Sequence, residues 1–181
     1  MRRMLAFALV ATFASFLAAP AAANVIDQNQ PSGVTYMAAF SQTDLAQSFM
    51  QDADNVSGAG ILLQADAGTS DNVTISLWDA LPNAGGTMLA TASAVGNAGE
   101  WVDVYWTPVT VTPGVTYYLV FDGNVTLGIA GDTSNPYPGG HVYANAGYSP
   151  FVDYDYAFRT YYGSTVATEA QSWSAVKALF E

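Results

Sequence analysis

The chain has 181 residues, with four Lys or Arg against fifteen Asp or Glu, and it contains no cysteine. So acidic a balance excludes a phosphate-backbone or anionic-lipid surface, which needs cationic side chains, and without cysteine there is no thiol catalysis, thiolate metal site or disulfide. Apolar residues make up 51% and charged residues 10%, a composition that builds a packed core rather than a disordered chain.

At the N-terminus, Arg2 and Arg3 precede an apolar run over residues 5–19, and Pro20-Ala21-Ala22-Ala23 ends it with the small residues a signal peptidase accepts. Residues 1–23 are read as a cleaved secretory signal peptide, because a membrane span needs about 20 apolar residues and this run is shorter. The remaining chain, about 158 residues, is long enough for one domain with a sizeable core. It keeps Arg159 and Lys177 against all fifteen acids, a net charge of −13. A secreted or extracytoplasmic protein with no membrane span in its mature form is expected.

From residue 45 onward, short β-branched or aromatic runs alternate with turn residues. Strands are expected over 46–51, 60–65, 73–78, 88–94, 101–106, 116–121, 125–130 and 157–162. Val73, Ile75 and Leu77 fall on one face of their run. Thr116-Tyr117-Tyr118-Leu119-Val120-Phe121 is apolar on both faces, which predicts a central strand buried on both sides. The spacing indicates an all-β protein, an antiparallel jelly-roll-like β-sandwich over residues 24–163, with a closed barrel as the alternative. Asn55-Val56-Ser57, Asn72-Val73-Thr74 and Asn124-Val125-Thr126 have the form of glycosylation sequons. They are read as turn-to-strand transitions, where Asn tolerates the turn and Val and Thr open the strand.

Residues 164–181 are read as a linker and a short amphipathic C-terminal helix. Thr168-Glu169-Ala170-Gln171 has capping-box spacing, and Trp173, Val176 and Phe180 share a face. So short a helix is marginal alone. It needs either its own sandwich or a partner protein to pack on, and periodicity does not distinguish these.

For chemistry, His141 is the one histidine and no nucleophile-elbow motif occurs. Asp residues sit mostly in turns; Asp103, mid-strand, is expected on the solvent face. A non-enzymatic protein is expected, with an Asp-dependent hydrolase as the less favoured reading. A structural calcium is the one cofactor considered, with Asp153 and Asp155 as its ligands because they lead into the last strand. Residues 131–156 form the longest irregular stretch. Tyr137, His141, Tyr143, Tyr148 and Tyr154 are the candidate ligand-binding residues there, since flat rings beside Asn and Asp suit a sugar surface.

Ile26-Asp27-Gln28-Asn29-Gln30-Pro31 and Thr43-Asp44-Leu45-Ala46-Gln47-Ser48-Phe49 resemble segments of a group of uncharacterised exported bacterial β-sandwich proteins. Residues 73–83, 116–121, 135–140 and 156–161 extend the resemblance. Such proteins often carry a C-terminal PEP-CTERM sorting signal or another interchangeable anchor. This sequence lacks the Pro-Glu-Pro motif, the apolar span and the basic terminus of that signal. The resemblance implies a surface or matrix sandwich with polysaccharide or a surface protein as partner, or a structural module docking through the C-terminal helix.

Overall fold

Alternating side chains and frequent turns produce strands almost throughout. The computed structural model describes residues 22–123 and 125–165, and it is all-β there apart from a 3-10 turn at Pro82–Ala84. The strands are β1 (Ala22–Gln30), β2 (Thr35–Ala39), β3 (Leu45–Met50), β4 (Asn55–Leu62), β5 (Ser70–Trp78), β6 (Met88–Asn97) and β7 (Trp101–Thr110). They continue with β8 (Thr116–Gly123), β9 (Gly128–Asp132), β10 (Val142–Ala144), β11 (Ser149–Phe151), β12 (Asp155–Tyr156) and β13 (Phe158–Thr165). Residues 1–21 of the expected signal peptide, Asn124 and the expected helix over 169–181 lie outside the described residues.

Three sheets form, with orders β1-β13-β4-β7, β11-β10-β3-β8-β5-β6 and β12-β9-β2. The resolved pairings in them are antiparallel. The first two sheets share one apolar core, the arrangement of a β-sandwich. Leu45, Phe49, Val73, Ile75, Leu77, Leu119 and Phe121 supply one side of the core, and Val56, Ala59, Ile61, Val102, Val104 and Phe158 the other. Among the described residues no helix is long and apolar enough to cross a membrane.

Three expectations change. β8 is central, paired with β3 and β5, but only Tyr117, Leu119 and Phe121 are buried; Thr116, Tyr118 and Val120 stay half-exposed. Its second apolar face is a surface. The stretch 131–156 is not one irregular loop, because β10, β11 and β12 lie within it. Residue 164, expected to begin the linker, belongs instead to β13, which is held at Gly163 by the Asn55 side chain: Gly163 N–H donates to Oδ1 at 2.8 Å.

The four-stranded sheet carries an ionic cluster on its outer face. Asp103 faces Gly60, and Gly60 faces Arg159, so the glycine leaves room for the two side chains to meet above β4. Arg159 donates through Nε to Asp103 Oδ1 at 2.8 Å and through Nη2 to Oδ2, and Tyr161 Oη donates to Oδ1 at 2.8 Å. The guanidinium also lies 4.3 Å from the Trp101 ring centre.

Candidate ligand-binding groove

The same period-2 rule that buries Leu119 turns Tyr118 outward, onto the outer face of the six-stranded sheet. On β10, Val142 and Ala144 are buried while Tyr143 turns outward. Between these strands lies β3, whose outward residues at this level are small: Ser48 faces Tyr118, and Ala46 faces Tyr143. The two tyrosine rings meet over them edge to face, 5.7 Å apart at 65°. His141 tilts onto Tyr143 with a 4.6 Å separation. With Met50, Thr116, Asn135, Pro138 and Val152, these residues line an open groove of about 410 Å³.

A buried polar network holds the 135–141 segment at the groove. Asp155 and Gln47 are both 0% exposed. Gln47 Nε2 donates to Asp155 Oδ1 at 2.9 Å, Tyr137 N–H donates to Asp155 Oδ2 at 2.8 Å, and Tyr156 N–H donates to Gln47 Oε1 at 2.9 Å. The network therefore ties β3, the 135–141 segment and β12 together. Tyr137 then plugs the space beneath: its ring packs edge to face on Phe158 at 5.0 Å, and its hydroxyl bonds Gln28 Oε1 and the Met50 backbone. His141 is pinned from both sides of its peptide, its N–H donating to Ser48 Oγ at 2.9 Å and its carbonyl accepting from Ser48 N–H at 3.0 Å. Gly140 makes this approach possible, because a Cβ there would fall 1.9 Å from the Ser48 carbonyl oxygen.

Desolvation holds the His141 imidazole below its ordinary value, with the Asp155 carboxylate opposing the shift, which favours the neutral ring. Burial pushes the Tyr143 hydroxyl up, reinforced by Tyr118 beside it. Burial likewise raises the Asp155 carboxyl, against the pull of its Tyr137 and Gln47 donors. The groove thus presents neutral donors and acceptors and two ring faces. None of its lining residues is Asp or Glu.

Of the five ligand candidates, His141 and Tyr143 reach the groove together. Tyr137 does not, being a core residue at 9% exposure. Tyr148 reaches a separate hollow of about 370 Å³ with Phe40, Asp44 and Asp122, and Tyr154 stacks on Phe151 at 5.8 Å away from both. Composition marked the stretch as aromatic, but without a strand frame it could not say which rings point in. The missed residues are Tyr118, Thr116 and Met50; the signal for the first two was the outward register of residues 116–121, and for Met50 that of the run 46–51.

The two calcium candidates are also separated by environment. Both Asp155 oxygens are engaged inside the protein, whereas Asp153 is exposed. Among the described residues no group of three or more His, Cys, Asp or Glu side chains could hold a metal ion. Comparison with protein-family models, with curated proteins and with solved structures finds no match.

Proposed function

We propose that this is an exported, non-enzymatic jelly-roll-like β-sandwich of the cell surface or extracellular matrix that binds polysaccharide in the groove at Tyr118 and Tyr143. The observation that carries the reading is the pair of half-exposed tyrosine rings set over small β3 residues in an open groove. A sugar ring offers an apolar face to such rings and hydroxyls to neutral partners such as Thr116, Asn135 and His141. An open groove suits an internal segment of a chain. The absence of carboxylates from the lining favours binding over hydrolysis, which requires two of them across the scissile bond.

The jelly-roll reading is supported by the strand orders. Pairing β3 with β8, β4 with β7 and β5 with β6 nests three antiparallel pairs, and β13 then returns between β1 and β4. That is the order expected when one long hairpin rolls up into two sheets. Export rests on the tripartite pattern of residues 1–23, and membership of the PEP-CTERM-associated group rests on the sequence segments above.

The test is affinity electrophoresis against a panel of soluble polysaccharides, followed by calorimetry on any that retard the protein. Y118A and Y143A should each weaken binding by about tenfold, the effect of losing one ring contact, with unchanged circular dichroism. No retardation by any polysaccharide, or retardation indifferent to both substitutions, would sink the proposal.

A further inference from the structure

The two larger sheets have four edge strands, and three of these carry features that block edge-to-edge pairing, while the edges of the small sheet, β12 and β2, are only two and five residues long. β1 contains Asp27, β7 contains Pro108, and β11 is three residues long with Pro150 at its centre. β6 is different. It ends the six-stranded sheet, pairs with β5 in unbroken register from Ala90 to Asn97 after one irregularity at Leu89, and has no charge or proline over its ten residues, Met88–Asn97. It has no charged residue in a chain whose formal net charge is −11. Val95, at 67% exposure, stands on it uncovered.

The centre of β6 is also symmetric. Ala90-Thr91-Ala92-Ser93-Ala94 reads the same by residue class in both directions. Ala90, Ala92 and Ala94 pack toward the core, and Thr91 and Ser93 are exposed on the outer face. Those two hydroxyls already pair with β5, Thr91 with Ser76 at 3.0 Å and Ser93 with Thr74 at 2.7 Å.

We propose that β6 is a homodimerisation edge, pairing antiparallel with β6 of a second copy about a two-fold axis at Ala92. In that register Ala92 faces Ala92 and Thr91 faces Ser93 of the second copy. The hydroxyl row on the outer face then runs unbroken from one sheet into the next. No like charges oppose one another, although the two bodies are both acidic. The pairing is isologous, so it uses up the edge and closes at two copies. The two six-stranded sheets become one continuous sheet, with the binding groove of each copy on it.

Sedimentation velocity of the full chain across a concentration series is the measurement. The wild type should associate to a dimer and no further. T91K/S93K should weaken dimerisation by at least about tenfold, since each new lysine would face another across the axis. T91E/S93K should restore the dimer, because each new glutamate then faces a lysine of the other copy. Both positions are exposed, so circular dichroism should be unchanged in both variants. A wild type that stays monomeric at about 100 µM overturns the proposal, as it would if β6 instead served an extended peptide from another protein. A dimer indifferent to T91K/S93K, or a folded T91E/S93K that stays monomeric, overturns it equally.

Discussion

Replacing Gly60 by alanine should destabilise the protein, although glycine is normally the weaker strand residue. The new Cβ would lie 2.1 Å from Asp103 Oδ1 and 3.2 Å from Arg159 Cγ. Oδ1 would have to retreat by more than about 1 Å to reach ordinary contact, and it is the oxygen that accepts from both Arg159 Nε and Tyr161 Oη. The Arg159 and Asp103 side chains are each 21% exposed, so water replaces part of what is lost. A partly buried charge-assisted hydrogen bond then contributes about 1 kcal/mol, and two contribute about 2 kcal/mol. Against this, alanine gains about 0.5 kcal/mol over glycine through the unfolded chain. The net cost is about 1.5 kcal/mol, a fall in Tm of about 3–6 °C for a domain of this size. Thermal melts by circular dichroism of wild type, G60A, D103A and G60A/D103A make the comparison. With Asp103 already truncated, G60A should cost nothing or stabilise slightly, since the obstacle is gone. A G60A protein as stable as wild type, or an equal cost in both backgrounds, refutes the reasoning.

Leu119 is 0% exposed on the central strand β8, so L119A should cost about 2–5 kcal/mol, read as a lower urea midpoint at an unchanged m-value. Burial raises the folded-state carboxyl of Asp155 above its ordinary 3.8. Folding therefore favours its protonated form, and its contribution to stability grows as pH falls from neutral through the raised value, levelling off below 3.8. The Tm of wild type minus that of D155N should accordingly rise on acidification, and a difference that falls or stays flat contradicts the assignment. For His141, proton NMR should find the imidazole titrating below its ordinary 6.5. A midpoint above that value would mean the Asp155 carboxylate dominates over desolvation.

Much of the sandwich was legible because long strands carry their own frame. Val73, Ile75 and Leu77 alternate over enough residues to show which side is buried, and all three are 0% exposed. β10, β11 and β12 have three, three and two residues, too few for any period, so the segment containing them looked irregular. The same loss of frame explains why Tyr137 read as a surface ring when it is a core plug. Gln47 and Asp155 were opaque for another reason. A polar residue in a sequence signals solvent by default, and only the fold shows two of them satisfying each other in the interior. The groove itself was half visible: His141 and Tyr143 stood out by type, while Tyr118 was concealed by belonging to a run that looked wholly buried.

The network of Gln47, Asp155 and Tyr137 N–H fixes the path of the 135–141 segment from below, through groups that never face the groove. Asn135, Pro138 and Val152, by contrast, line the groove and are exposed. Anchorage and groove lining thereby fall to different residues. On the proposed function, exchanging Pro138 and Val152 would change the sugars recognised without touching the buried network, whereas Asn135 holds a φ of 50° that restricts its replacements. The rim would then behave as a replaceable cassette mounted on a permanent fixture, and directed evolution of new specificities should begin at Pro138 and Val152.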